Sequence, residues 1–203
     1  MNLTILPPEL ATVRGHDMVD YHRLRHDIFV ALSGLGRQDL YSAAGWETDI
    51  WDLSFFKPVH FLVRDETGAA VAVGRMTSSS FPTMMETHYP EFVDGPCPKQ
   101  ETLWEVQRLG VRLDLPKWER ERALLTLLTG MLRWCQDAGV EQVMLLTFEG
   151  IYRKRLTKMR PMGPVGTHLN FPHIALINEI QEEAILEIEE QLHALQVVEQ
   201  KVA

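Results

Sequence analysis

The 203 residues carry 45% hydrophobic and 24% charged side chains at a net charge of −8, the profile of an ordinary folded domain and not of a disordered chain. No apolar run reaches the roughly 18–20 residues of a membrane span, Met1–Glu9 lacks a charged-then-apolar export signal, and the two cysteines, Cys97 and Cys135, form no CxxC pair. General nucleic-acid binding, a disulfide framework and a cysteine-built zinc site are disfavoured, and one cytoplasmic α/β domain over residues 1–203 is expected.

Residues 2–6 read as a strand stopped by Pro7-Pro8. Asp17 caps a helix running to about Leu32, where Ser33-Gly34 is a stop signal. A polar, irregular stretch follows to Asp52. Residues 60–64 and 70–77, rich in β-branched and apolar side chains, form a hairpin around Asp65-Glu66-Thr67-Gly68. Beyond a loop with prolines at 82, 90, 96 and 98, residues 103–112 are a third strand. Pro116 opens the strongest helix, with Leu124, Leu125, Leu127, Leu128, Met131, Leu132 and Cys135 on a broad apolar face, and Gly139 closes it. Residues 142–148 are a buried strand, and residues 166–178 one strand or two. A C-terminal amphipathic helix over about 179–199 has Ile177, Ile180, Ile185, Ile188, Leu192 and Leu195 on one side. Strands alternating with helices predict a mixed sheet covered on both faces.

The charge is uneven. From residue 176 onward seven glutamates stand against Lys201, so that this tail holds −6 of the total. Arg153, Lys154, Arg155, Lys158 and Arg160 form a basic cluster on a predicted short helix with no acid interspersed. Such a patch is either a solvated helix face or a surface that steers an acidic protein partner.

Two arginines occupy positions meant for apolar side chains. Helical spacing sets Arg25 among Tyr21, Ile28 and Phe29, and period-two alternation sets Arg75 beside Val71 and Val73. A guanidinium cannot lose its charge, so its burial requires carboxylates or a bound anion. Glu47, Asp49, Asp52 and Glu105 supply carboxylates in unusual density. An ion-pair network at one end of the sheet is expected, either as a plain structural clamp or as a site. Glu105 and Arg108, three apart, face opposite sides of a regular strand, so their joining one site requires a bulge near Val106–Arg108.

Arg25 with Phe29, Glu47-Thr48-Asp49-Ile50-Trp51-Asp52, Gly74-Arg75 and Trp104-Glu105-Val106-Gln107-Arg108 form an ordered set that resembles the acyl-homoserine-lactone synthases, the LuxI-type autoinducer synthases, over residues 20–112. Leu35 stands where that family usually has a tryptophan, which Trp46 or Trp51 is expected to replace as an aromatic wall. Tyr89 stands where a phenylalanine is common. The resemblance implies a three-layer αβα sandwich like that of the GNAT-type N-acetyltransferases, a mixed twisted sheet with a V-shaped cleft. It implies that the amine of S-adenosylmethionine is acylated from acyl carrier protein or acyl-CoA. Lactonisation then releases methylthioadenosine. S-adenosylmethionine and the acyl thioester are both substrates, and no cofactor or metal is implied.

On that reading Glu105 is the general base, with Arg108 orienting it and Arg25 and Arg75 in support. Asp49 and Asp52, with Glu47, Trp51 and Phe29, form the S-adenosylmethionine side, where the two aspartates meet the ammonium or sulfonium. Trp104, Met144, Leu146, Thr147 and Phe148 are candidates for the acyl pocket. Thr147 aligns with a position where a hydroxyl favours 3-oxo chains in the family. Arg153, Lys154, Arg155 and Lys158 are candidates for docking the acidic carrier protein. Three other readings stand beside this one. The first is a GNAT-type acyltransferase acting on another amine, poorly supported by the single Gly110 before the strong helix. The second is a helix-pairing module without catalysis. The third is a metal site at His22 and His26 or at His168 and His173, with no HExxH or cysteine partner. No oligomeric state follows from these features.

Overall fold

A computed structural model describes residues 1–31, 42–43 and 45–202; Leu35 lies outside the described residues. Strand β1 (Asn2–Leu6) leads through the short α1 (Pro8–Ala11) to α2 (Gly15–His26), whose last turn continues as a π-helical turn over Asp27–Ala31. A small ladder of β2 (Ser42–Ala43) and β3 (Trp46–Glu47) precedes 3₁₀ turns at Ile50–Asp52 and Ser54–Phe56. The hairpin is β4 (Val59–Arg64) and β5 (Ala70–Ser78), followed by α3 (Met84–His88) and then β6 (Leu103–Val111). The strong helix α4 (Lys117–Asp137) leads to β7 (Gln142–Phe148), α5 (Glu149–Arg155), β8 (Arg160–Pro161), β9 (Gly166–His168), β10 (Phe171–Glu179) and α6 (Glu182–Val202). Gly139, with φ of 71°, ends the α4 region in the left-handed conformation that suits a residue without a Cβ.

The main sheet runs β1-β4-β5-β6-β7-β10-β8, with β9 paired to β10. Its pairs are antiparallel except β6–β7. Alternation divides the core. Phe61, Val63 and Met76 meet Ala123, Leu127, Met131 and Cys135 of α4, while Leu62 and Val73 meet Tyr21, Leu24 and Ile28 on the α2 side. Helix α6 lies over α4, joined by Arg133 to Glu182 (2.9 Å) and Glu189 (2.7 Å). It begins at Glu182, later than the apolar pattern predicted, because Ile177 belongs to β10 and Ile180 to the link that follows. Among the described residues of α6, Ile185 is the buried anchor. No helix among the described residues is long and apolar enough to cross a membrane.

Two irregularities of β6 shape the site. Its parallel pairing with β7 stops after Leu103–Gln142, Trp104–Val143 and Glu105–Met144, and the strands then part. On its other edge the register with β5 shifts between Val73–Gly110 and Arg75–Gln107, so that Arg108 and Leu109 oppose the single Gly74. This is the required bulge, and Arg108 sits in it with φ of 51°. Gly110 follows because the π-helical turn presses on the strand: a Cβ there would lie 2.9 Å from both Ile28 Cγ2 and Phe29 Cζ. Gly110→Ala is therefore expected to destabilise the fold by about 1–3 kcal/mol through overpacking, read as a lowered thermal midpoint.

Candidate active site

Three guanidinium groups and three carboxylates converge on the α2 face of the sheet. Arg25 donates through Nε to Glu47 (2.5 Å), through Nη1 to both oxygens of Asp52 (2.7 and 2.8 Å) and through Nη2 to Asp49 (3.1 Å). Arg75 reaches Asp49 with Nη1 (2.5 Å) and Nη2 (2.9 Å), and Asp52 with Nη1 (2.6 Å). Arg108 completes the set with Glu47 (3.1 Å) and Asp49 (3.2 Å), its guanidinium 5.7 Å from the Phe29 ring. Arg25 and Arg75 have no exposed surface, whereas 14% of the Arg108 side chain reaches solvent. Arg108 is thus the network cation a ligand can meet.

The acidic loop is folded by the same carboxylates. Asp49 accepts from the Trp51 N–H (3.0 Å) and Asp52 from the Asp49 N–H (2.8 Å), a capping box on the 3₁₀ turn. Burial alone would raise the Asp49 and Asp52 carboxyls. The Arg75 and Arg25 charges outweigh it, leaving Asp49 below and Asp52 well below the usual range. His60 adds a contact to Asp52 (3.2 Å); burial lowers its pKa against the pull of that carboxylate, so the neutral ring donates from Nε2. His22 Nδ1 donates to the Glu47 carbonyl (2.8 Å) and its ring stacks on Trp46, 4.9 Å between centroids. Burial pushes its pKa down to about 4.

Glu105 stands at the last β6–β7 pair, buried on the same face. Its Oε1 accepts from the Met85 N–H and its Oε2 from the Met84 N–H, both at 2.8 Å, and Oε2 also accepts from Gln107 Nε2 at 2.5 Å. Burial raises its pKa, while those hydrogen bonds and the Arg75 charge pull it part of the way back. The expected Glu105–Arg108 contact is replaced. Arg108 turns to Glu47 and Asp49, and Gln107 with the start of α3 orients Glu105 instead.

The remaining expected residues divide. Met144 and Leu146 pack in the cluster on the Glu105 face with Met84, Met85 and Leu103. Phe148, at the end of β7, lies 4.5 Å from His173 and 5.9 Å from Phe171 between ring centroids. Trp104 points to the opposite face, its ring 5.0 Å from Trp134 of α4, and alternation turns Thr147 to that side also. Trp51 is fully buried and donates to the Pro82 carbonyl (2.9 Å), so neither it nor the stacked Trp46 is a free aromatic wall. Asp49 and Asp52 are occupied by guanidinium groups, not open for a substrate cation. The basic cluster has acids after all, brought by other turns and helices: Arg153 pairs with Glu149 (2.5 Å), Arg155 with Glu121 (3.3 Å) and Lys158 with Glu187 (2.8 Å). Sequence reasoning missed Gln107, His60 and the α3 backbone. Only Gln107 left a signal, as a polar residue on the Glu105 side of an apolar strand. Among the described residues no three His, Cys, Asp or Glu side chains are grouped as a metal would need.

The model of the autoinducer synthase family matches residues 10–167. An acyl-homoserine-lactone synthase of Agrobacterium fabrum (strain C58 / ATCC 33970) is 27% identical over 169 residues, which is 79% of this chain and 77% of that protein. One of Pseudomonas chlororaphis is 26% identical over 157 residues, 76% of each. Among solved structures, the CoA-dependent acyl-homoserine lactone synthase MesI superposes with a TM-score of 0.81 at 21% identity, covering 95% of both chains. A putative N-acetyltransferase from Lactobacillus plantarum superposes at 0.54 and 11% identity, covering 89% of this chain and 100% of that one.

Two outcomes follow from the network. Asp52→Asn leaves Arg25 and Arg75 short of a counter-charge, and a loss of about 3–5 kcal/mol is expected in urea denaturation. Between pH 6.5 and 4, unfolded His22 and His60 take up protons that the folded protein refuses, so stability falls with pH across that window. Asp49 and Asp52 add to the loss only below the ordinary aspartate range, near pH 3.8. Glu105 works the other way and regains stability as it protonates. A flatter profile across that same window of pH 6.5 to 4 is expected for His60→Asn.

Proposed function

The chain belongs to the autoinducer synthase family, acyltransferases that make acyl-homoserine lactones, and from that premise we propose that the Glu105 face of the β6–β7 cleft joins S-adenosylmethionine to an acyl thioester. The carrying observation is the coincidence of three features within β6: a buried carboxylate with a raised pKa at the last strand pair, the parting of the strands beside it, and a partly exposed arginine in the bulge.

The substrate amine must lose a proton before it attacks. Glu105 takes that proton, directly or through one water, a role worth about 10²–10⁴-fold in rate. Its burial works towards a basic carboxylate, and its hydrogen bonds keep it aimed. The amine then forms the C–N bond as the thioester C–S bond breaks and the carrier thiol leaves. Backbone N–H groups at the parting of β6 and β7 meet the developing oxyanion. Arg108 receives the methionine carboxylate, the anion its exposed edge suits. That carboxylate closes on its own γ-carbon, forming the lactone C–O bond and expelling methylthioadenosine. Met144 and Leu146 line the acyl side. Arg25 and Arg75, wholly buried, hold the acidic loop rather than touch substrate.

The decisive experiment is expression in a heterologous bacterium with mass spectrometry of the medium. Ions carrying the homoserine-lactone fragment are expected, and Glu105→Gln is expected to cut their yield by about 10²–10⁴-fold. Near-full output from that variant removes Glu105 as the base. An N-acylated amine without the lactone fragment points instead to a GNAT-type acyltransferase.

The donor is carried on acyl carrier protein or on CoA. With three of its cations sharing carboxylates, α5 and the turn after it keep a smaller surplus of positive charge than their sequence suggests, concentrated near Lys154. A double reversal, Arg153→Glu with Lys154→Glu, is expected to raise KM for the carrier-bound donor, to flatten its salt dependence and to leave KM for acyl-CoA unchanged. An unchanged KM for the carrier-bound donor takes this surface out of docking.

A further inference from the structure

Between the arginine–carboxylate network and Glu105 lies one amide. Gln107 follows Glu105 by two residues and so shares its face of β6. Its Oε1 accepts from Arg75 Nε at 2.8 Å, while Nε2 donates to Glu105 Oε2 at 2.5 Å and to Thr77 Oγ1 at 3.1 Å. The amide's orientation is forced. Turned over, it would set its oxygen against a carboxylate and its NH₂ against a guanidinium, two repulsive contacts in a site from which Gln107 exposes only 5% of its surface. Arg75 Nη1 and Nη2 are committed to Asp49 and Asp52, so Nε is the edge of that guanidinium turned toward Gln107.

We infer that Gln107 is the positioning residue of this site: it relays the fixed charge of the arginine network to Glu105, keeping the carboxylate ionised and aimed. The inference rests on the reading of Glu105 as the base. Polarisation of the amide by Arg75 strengthens the N–H that Glu105 receives, and the low dielectric around it amplifies the effect. Glu105 is faced by few other charged or titratable groups: Arg75 from β5, and from the loop before β6 the Cys97 thiol, itself held neutral by burial. The Met84 and Met85 N–H groups come from α3, and Met144 stands opposite on β7. Gln107 is therefore the side chain that donates a hydrogen bond to this carboxylate, opposing the upward push of burial.

The test uses the full chain with its glutamates carrying ¹³C at Cδ, the Glu105 resonance assigned by its loss in Glu105→Gln. Its titration is followed alongside the pH dependence of kcat/KM in the wild type, in Gln107→Met and in Gln107→Glu. Gln107→Met keeps the length and removes the donor; its Glu105 midpoint is expected to rise by roughly one pH unit. Gln107→Glu restores an acceptor for Arg75 but sets a like charge against Glu105, so its midpoint is expected to rise further. The acid limb of kcat/KM is expected to move with each midpoint. A purely packing role for Gln107 predicts a lower thermal midpoint with the Glu105 titration in place, and that result overturns the inference. A Glu105 midpoint that moves while the acid limb stays upholds the relay from Arg75 through Gln107 to Glu105 and overturns instead the assignment of Glu105 as the base.

Discussion

Withdrawing guanidinium groups from water is the constraint on which the rest of this molecule depends. Arg25 and Arg75 are fully buried and Arg108 largely so, and none can neutralise itself. Glu47, Asp49 and Asp52 balance them charge for charge, each carboxylate bridging at least two cations. An arrangement of this kind adds little net stability over an apolar core, because desolvation offsets most of the attraction. What it supplies is uniqueness. An acidic loop with only two short 3₁₀ turns and a two-residue strand of its own is fixed to α2, β5 and β6 at once, since any other placement strands a charge.

That constraint also explains how one sheet end holds carboxylates in opposite electrostatic states. Asp49 and Asp52 share guanidinium groups directly, so their acidity survives burial. Glu105 stands one residue further from the cations and receives only neutral donors, so burial wins and its basicity rises. Pairs of groups driven apart in this way are how a protein assigns one to structure and another to proton transfer. The separation is a matter of geometry on adjacent strands: Arg75 pairs across with Gln107, and Thr77 with Glu105, one step along the same face.

Much of this was legible in the sequence because it follows from local periodicity. Arg25 and Arg75 fell on apolar faces, the acids of residues 47–52 were the available partners, and Glu105 and Arg108 demanded a bulge. The parts that escaped depend on contacts distant in the chain. Partners of the basic cluster, Glu121 and Glu187, sit on α4 and α6 and are invisible from the segment itself. Trp104, a candidate for the acyl pocket, lies opposite Glu105 by the strand's own alternation, and its ring rests on Trp134. Helix α6 starts later than its apolar pattern suggests because Ile177 of β10 and Ile180 of the link continue the helix's spacing by coincidence, and a strand and a helix cannot be told apart over so few residues.

The bulge in β6 joins the fold to the site. Were the strand regular, Arg108 would lie with Trp104 against α4, where the neighbours are Ala123, Leu127 and Trp134 and no carboxylate of the network reaches. The left-handed turn at Arg108 costs about 1–3 kcal/mol for a residue with a side chain, and it breaks the β5 register. Glu47 and Asp49 offset that cost by holding the displaced guanidinium. The displacement also brings Gly110 beneath Ile28 and Phe29, so the π-helical turn closes on the strand and carries Phe29 to the Arg108 guanidinium. Strain, charge and packing at the bulge therefore support one another, and relieving the strain with a regular strand would dismantle the site.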